Sequence, residues 1–100
     1  MLSRPTLLSL GEIVWDVYPD KRLLGGAPFN LAAHAARLGF DAKLISAVGD
    51  DDLGREALGA AQSLGVDTTL TRIHETLPTG IVDVTLDARA QPTFHLRRPA

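Results

Sequence analysis

The chain alternates apolar runs with amphipathic stretches over most of its length. Residues 6–15 and 42–48 are mostly apolar and lack a helical period, which is typical of strands covered on both faces of a sheet. Residues 28–38 and 53–64 instead place apolar side chains at helical spacing, and a third strand is predicted at residues 67–73. Strands and helices in this alternation predict an α/β fold built from parallel βαβ units.

Both predicted helices carry stop signals and an apolar face. The first is expected to end at Gly39 and the second at Gly65, since glycine readily takes the backbone conformation that follows a helix. The faces expected to be buried are Leu31, Ala35 and Leu38 in the first helix and Leu53, Ala57, Ala60 and Leu64 in the second.

The last quarter of the chain changes to a period of two. Residues 82–86 and 94–97 alternate apolar and polar side chains, which predicts an antiparallel hairpin with one wet face. The turn between them, residues 88–91, contains no glycine, so the sequence leaves its geometry open. An earlier mixed segment, residues 17–24, is predicted to turn at Pro19 and Asp20.

Composition excludes several classes of protein. One hundred residues with 45% apolar content predict one modest domain with a core. A net charge of −2 gives no basic field for nucleic acid, and no run approaches the roughly 20 apolar residues needed to cross a membrane. The absence of cysteine removes disulfides and thiolate zinc sites. The amino-terminal residues do not have the pattern of a secretion signal, so we expect a soluble cytoplasmic protein.

The most informative stretch is GGAPFN at residues 25–30. Gly25 and Gly26 let a ligand lie against bare backbone before the first helix, and Asn30 offers an amide that both donates and accepts hydrogen bonds. Asp16 ends the first apolar run, and ligands of open α/β sheets gather beyond the carboxyl ends of strands. We expect these groups to converge on a polyol. The alternatives are that Asp16 begins a surface turn, that the glycines are structural and that Asn30 caps the helix.

Four segments in order resemble the pfkB family of carbohydrate kinases, also called ribokinase-like. GGAPFN running into the first helix and its closing LG (residues 25–39) resembles the first family signature. LSLGEIVWD (residues 8–16) is similar to its opening strand, which ends in a sugar-binding aspartate. AVGDDDLG (residues 47–54) is similar to the turn into its second helix, and LPTG (residues 77–80) to the start of a lid hairpin in fructokinase-like members. Because family members are roughly three times longer, the resemblance makes residues 1–100 an amino-terminal part of such a domain.

The resemblance implies a fold, a reaction and a set of contacts. It implies a ribokinase-like sheet with a small antiparallel β-lid formed by residues near 17–24 and 80–98, and an ATP-dependent kinase that phosphorylates a sugar hydroxyl. Asp16, Gly25, Gly26 and Asn30 would contact the sugar. The catalytic base and the site for ATP and Mg²⁺ would lie elsewhere in the family domain, so we expect this chain alone to have no kinase turnover. A homodimer through the lid is also consistent with the resemblance.

Two other interpretations stay open. A nucleoside or a keto-deoxy sugar acid could be the substrate on the same scaffold. From a different class, the chain could be a sugar-binding or interaction module that has no catalysis.

Other polar residues are assigned no catalytic or metal role. Gly49 and Asp50 bear a superficial likeness to the family motif that carries the catalytic base, but Val48 departs from it, and Asp50, Asp51 and Asp52 are better explained as capping the second helix. His34, His74 and His95 are too scattered to predict a metal triad. For Arg97 and Arg98, a solvated strand end is favoured over contact with an anionic substrate.

Overall fold

The computed structural model describes residues 4–97 and shows seven strands and two helices in that range. Arg98, the side chain of Arg97 and their predicted roles lie outside what it describes. The elements are β1 (Thr6–Leu10), β2 (Val14–Val17), β3 (Arg22–Gly25), α1 (Ala27–Arg37), β4 (Asp41–Gly49), α2 (Asp52–Ser63), β5 (Thr71–His74), β6 (Ile81–Leu86) and β7 (Pro92–Arg97).

The strands form two sheets. The three-stranded sheet has the order β1-β4-β5 with all pairs parallel, as the predicted βαβ pattern requires. The four-stranded sheet has the order β3-β2-β6-β7, in which only β2 and β6 run parallel. The resemblance predicted a lid formed by residues 17–24 and 80–98. Both segments contribute to this one sheet, and residue 98 lies outside the described residues.

One predicted strand is wrong because residues 6–15 form two strands in different sheets. The strand is interrupted at Gly11, whose φ of 139° favours glycine. The Gly11 N–H donates to the carbonyl of Ile45 at 3.0 Å. Ile13 and Trp15 are buried beyond the break. An apolar run is compatible with burial in either sheet, so hydrophobicity alone could not reveal the break.

The predicted face of α1 is confirmed for Ala35 and wrong for Leu31 and Leu38. Leu31 and Leu38 are 54% and 79% exposed, whereas Phe29, Ala32 and Ala35 are buried against β1 and β4. The packed side lies opposite the polar residues of the helix, which recur at helical spacing on one side: Asn30, His34 and Arg37. Ala32 and Ala35 let the helix lie close to the sheet.

Helix α2 matches its prediction more closely. Asp51 is its N-cap and accepts a hydrogen bond from the Gly54 N–H at 2.7 Å, which confirms the predicted capping. Ala57 is buried as predicted, but the neighbouring buried residue is Ala61, and Leu64 is exposed. The core that α1, α2 and β4 share is completed by Ala42, Leu44, Val48 and Val66.

The third predicted strand starts later than expected. Strand β5 begins at Thr71, and Asp67 contributes only an isolated bridge to Lys43. The Asp67 carboxylate accepts from the Thr69 N–H, and the Thr71 N–H donates to the Thr68 carbonyl. These local bonds fold residues 67–71 into a turn in place of an extended strand.

The turn of the predicted hairpin is built without glycine. Strands β6 and β7 pair in antiparallel register as expected, with Val84 opposite Phe94. The Asp87 carboxylate accepts from the N–H groups of Arg89 and Gln91, and Ala90 takes the left-handed conformation with φ 58°. The aspartate compensates for the missing glycine.

Trp15 fixes the four-stranded sheet onto α2. Its indole N–H donates to the Leu53 carbonyl at 2.8 Å, and the Arg22 guanidinium lies 5.2 Å from the ring centre. Arg22 also pairs with Glu56 of α2. Because side chains alternate along a strand, Asp16 points to the opposite face of the sheet from Trp15.

Candidate functional site

Asp16 and Gly25 are brought together by the pairing of β2 and β3. The register places Val14 opposite Gly25 and Asp16 opposite Leu23, so Gly25 and Asp16 lie diagonally on one face. A Cβ atom on Gly25 would lie 2.5 Å from one oxygen of the Asp16 carboxylate. Glycine therefore leaves the space that this carboxylate occupies, and the two residues predicted to converge do so.

The Asp16 carboxylate is partly buried and available as an acceptor. Burial raises its pKa above the ordinary value for aspartate. Among the hydrogen bonds and ion pairs of residues 4–97, none involves this carboxylate. Polar groups in such surroundings gain from a hydrogen-bonding partner, so the site favours a ligand that donates hydroxyl protons.

Gly26 lies at a cavity where β1 ends and α1 begins. The cavity has a volume of about 320 Å³ and is lined by Gly11, Glu12, Gly26, Ala27 and Pro28. Gly26 is the N-cap of α1 with φ 100°, and a Cβ atom there would lie 2.6 Å from the Glu12 carbonyl oxygen. Glycine is therefore required here by the positive φ and by the close approach of the Glu12 backbone.

Ser9 holds the first turn of α1 at this cavity. It is buried, and its hydroxyl donates to the Pro28 carbonyl at 2.7 Å. Ser9, Gly11 and Glu12 were missed by the sequence analysis as contributors to this region. The available signal was Gly11 itself, since glycine within an apolar run often marks a bend or a close backbone approach.

Asn30 lies apart from the glycine cavity. Its backbone N–H donates to the Gly26 carbonyl at 2.9 Å, and its side chain is exposed. It lines a second hollow of about 230 Å³ together with Leu24, Phe29, Ala33, His34, Arg37 and Leu64. Since Gly26 is the N-cap and no side chain caps α1, the alternative role of Asn30 as a helix cap is wrong. Its role as a ligand contact remains a prediction.

The acidic residues before α2 are engaged within the fold. Asp50 and Asp52 pair with Arg55, and Asp51 caps the helix. Within residues 4–97, no three His, Cys, Asp or Glu side chains lie close enough to hold a metal ion. The helices of the same range are too short or too polar to span a membrane.

We expect Gly25→Ala to weaken binding at this site by about tenfold, equivalent to one lost hydrogen bond to a charged group. The added methyl group meets the end of the Asp16 side chain, so the carboxylate must move while the fold is kept. Titration calorimetry with a panel of hexoses and pentoses would measure the change. Gly59→Ala is the control, because nothing lies within 4 Å of that position; equal affinities in both variants would contradict the expectation.

Comparison with known proteins identifies the relatives of this chain. The sequence profile described as "pfkB family carbohydrate kinase" matches residues 9–100. Fructokinase of Klebsiella pneumoniae is 41% identical over 90 residues, which cover 85% of this chain and 29% of that protein. Aminoimidazole riboside kinase of Salmonella typhimurium is 33% identical over 90 residues, covering 85% of this chain and 28% of that protein.

A solved structure supports the same relationship. An uncharacterized sugar kinase from Pyrococcus horikoshii in complex with ATP superimposes with a TM-score of 0.82 at 34% identity, covering 90% of this chain and 33% of that one. The chain thus spans about three tenths of the length of the curated relatives it matches.

Proposed function

The chain belongs to the pfkB family of carbohydrate kinases, and on that premise we propose that the natural protein transfers a phosphoryl group from ATP to a hydroxyl group of fructose or a closely related sugar. The fold is ribokinase-like α/β, as the resemblance predicted. The observation that carries the proposal is the Asp16 carboxylate packed against Gly25, the residue next in sequence to Gly26 of the cavity.

The proposed role of these residues is to bind and orient the sugar. An ionised Asp16 accepts hydrogen bonds from two hydroxyl groups, which is the pairing that a polyol offers. Gly25 leaves room for that carboxylate, and Gly26 lines the cavity in which the sugar is proposed to lie. Asn30 lines a separate hollow and stays a predicted contact. The four-stranded sheet, which carries Asp16, acts as the lid that keeps water away from the transferred group.

ATP and Mg²⁺ are assigned to other parts of the natural protein. Within residues 4–97 no carboxylate cluster fits a metal ion. Arg55 pairs with Asp50 and Asp52, and Asp51 caps α2. The Pyrococcus horikoshii relative was solved with ATP, which supports ATP as the phosphoryl donor. This chain then supplies sugar positioning, and the catalytic base lies outside it. A cytoplasmic location stays a prediction.

A second substrate class has its own support. Aminoimidazole riboside kinase is among the relatives above 30% identity, so a riboside is the runner-up substrate. A keto-deoxy sugar acid and a binding module without catalysis are the remaining alternatives.

Titration calorimetry on the natural protein in its full length tests the proposal. Fructose, other hexoses, pentoses and a riboside are titrated in turn, and each is then incubated with ATP and Mg²⁺ and analysed for a phosphorylated product by mass. We expect fructose or a near relative to bind and to be phosphorylated. A phosphorylated riboside as the only product would support the riboside as substrate. Sugar binding without any phosphorylated product would support a binding module without catalysis. Binding of none of these compounds would overturn the proposal.

We further propose that the full-length protein forms a homodimer through the face of the four-stranded sheet that carries Asp16. The strand register puts a set of apolar side chains on that face, and they are exposed among the described residues: Leu23, Leu86, Phe94 and Leu96. Several large apolar side chains exposed on one face of a sheet mark an interaction surface. Light scattering should give twice the protomer mass, and Phe94→Asp should shift it toward the monomer; a wild-type mass equal to one protomer would contradict the dimer.

A further inference from the structure

Asp51 makes two sets of contacts, of which helix capping is only one. One carboxylate oxygen accepts from the Gly54 N–H at 2.7 Å and from the Thr79 hydroxyl at 2.6 Å. The other oxygen accepts from the Thr79 N–H at 2.9 Å. Asp51 therefore holds the backbone and the side chain of a residue 28 positions away, in the segment that leads from β5 into β6.

Both the backbone N–H and the hydroxyl of Thr79 are hydrogen-bonded within the fold. It is 2% exposed, and its hydroxyl oxygen also accepts from the Gly49 N–H at 2.9 Å. The hydroxyl thus donates to the start of α2 and accepts from the end of β4. Buried networks in which every group is satisfied hold their geometry strongly, because breaking one bond leaves a buried polar group unpaired.

Gly49 and Gly54 allow the end of β4, the start of α2 and the segment before β6 to meet. A Cβ atom on Gly49 would lie 2.5 Å from the Thr79 nitrogen, and one on Gly54 would lie 2.8 Å from the Thr79 hydroxyl oxygen. Neither position has room for a side chain. The end of β4, the start of α2 and the entry to β6 are therefore in contact through their backbones.

The segment held by Asp51 leads directly to Asp16. The Gly80 carbonyl, next to Thr79, accepts from the Trp15 N–H at 3.1 Å. Strand β6 then pairs with β2 so that Ile81 lies opposite Trp15 and Val82 opposite Asp16. A shift of Thr79 would therefore be transmitted through Gly80 to β2, the strand that carries Asp16.

The protonation state of Asp51 agrees with this role. Burial alone would raise its pKa, but the hydrogen bonds from Thr79 and Gly54 and the nearby Arg55 charge together lower it. The carboxylate is ionised at neutral pH, so its hydrogen bonds are of the stronger, charge-assisted kind.

We propose that Asp51 and Thr79 are positioning residues that fix where the chain enters the four-stranded sheet and thereby hold Asp16 against Gly25. Neither residue lines the cavity at Gly26. The assignment of a sugar as the ligand rests on the proposed function, whereas the positioning of β2 and β6 does not.

The test compares Thr79→Val and Asp51→Asn with two matched variants of the full-length protein. Thr79→Ser keeps the hydroxyl. Asp52→Asn removes a carboxylate from the same helix start that is 93% exposed and pairs with Arg55. Amide hydrogen exchange is measured without ligand, and the dissociation constant for the sugar is measured by calorimetry. We expect amide exchange in β2 and β6 to become about tenfold faster and the sugar affinity to fall about tenfold in the first two variants, and neither to change in the matched pair.

Each other outcome is decisive. If melting temperature falls but exchange in β2 and β6 stays at the wild-type rate, Asp51 is only a helix cap and the proposal is wrong. If Asp51→Asn does not fold, the contrast between Thr79→Val and Thr79→Ser decides alone. If the wild-type protein binds no sugar, the proposed function fails, while hydrogen exchange still supports or overturns the positioning role.

Discussion

Gly54→Ala should destabilise the protein by about 3 kcal/mol, near the upper end of the usual cost of overpacking. The added methyl group overlaps the Gly49 carbonyl oxygen and lies 2.8 Å from the Thr79 hydroxyl oxygen. Both neighbours are buried, and the carbonyl is part of the backbone, so α2 must move away from β4. The loss would appear as a lower midpoint of chemical denaturation with an unchanged slope.

The same helix provides the control for this prediction. Gly59 lies in α2 with nothing within 4 Å of an added Cβ atom. Gly59→Ala should therefore stabilise the protein by about 0.5–1 kcal/mol, because alanine loses less backbone entropy than glycine on entering a helix. A higher midpoint for both variants would show that helix propensity, and not the close approach at Gly54, governs the result.

Asp16→Asn should raise the dissociation constant for the sugar by about ten- to hundredfold, since hydrogen bonds to a charged group contribute about 1.5–3 kcal/mol. Asparagine keeps the shape of the side chain but replaces one acceptor oxygen with a donor. Asp20→Asn, in the exposed turn between β2 and β3, is the matched control. Calorimetry on both variants measures the difference, and unchanged affinity in Asp16→Asn would remove Asp16 from the site.

The pH dependence of binding gives the same prediction an independent check. Burial raises the pKa of Asp16, so the folded protein takes up this proton at a higher pH than the unfolded chain does. Burying the charged form costs stability above the raised pKa, and that cost disappears as the pH falls below it. Sugar affinity should therefore decline as the pH is lowered through the raised pKa in the wild type, with no matching decline in Asp16→Asn, and this substitution should not destabilise the fold at neutral pH.

Local features of the fold could be predicted because they depend on neighbours in sequence. Asp51 caps α2 through a residue three positions away, and the β6–β7 hairpin follows from alternation within a few residues. The convergence of Asp16 with Gly25 was also predictable, since the two flank a short turn and their strands pair directly.

Other features depended on which elements become neighbours. The buried side of α1 lies opposite its polar residues Asn30, His34 and Arg37, so its sequence does indicate that side. The contact with β1 and β4 decides how far the buried face extends, and it leaves Leu31 exposed. The break at Gly11 was missed because the apolar run continues through it into a second sheet.

The amino-acid sequence by itself determined the α/β class, the two helices, the cap of α2, the β6–β7 hairpin and the convergence of Asp16 with Gly25. Only the tertiary structure decided that Asp51 reaches Thr79 and that Asn30 lies in a hollow separate from Gly26. Periodicity and capping describe interactions within a turn or a strand. Contacts across 28 residues arise from the order of strands in two sheets and from the close approach that Gly49 and Gly54 permit.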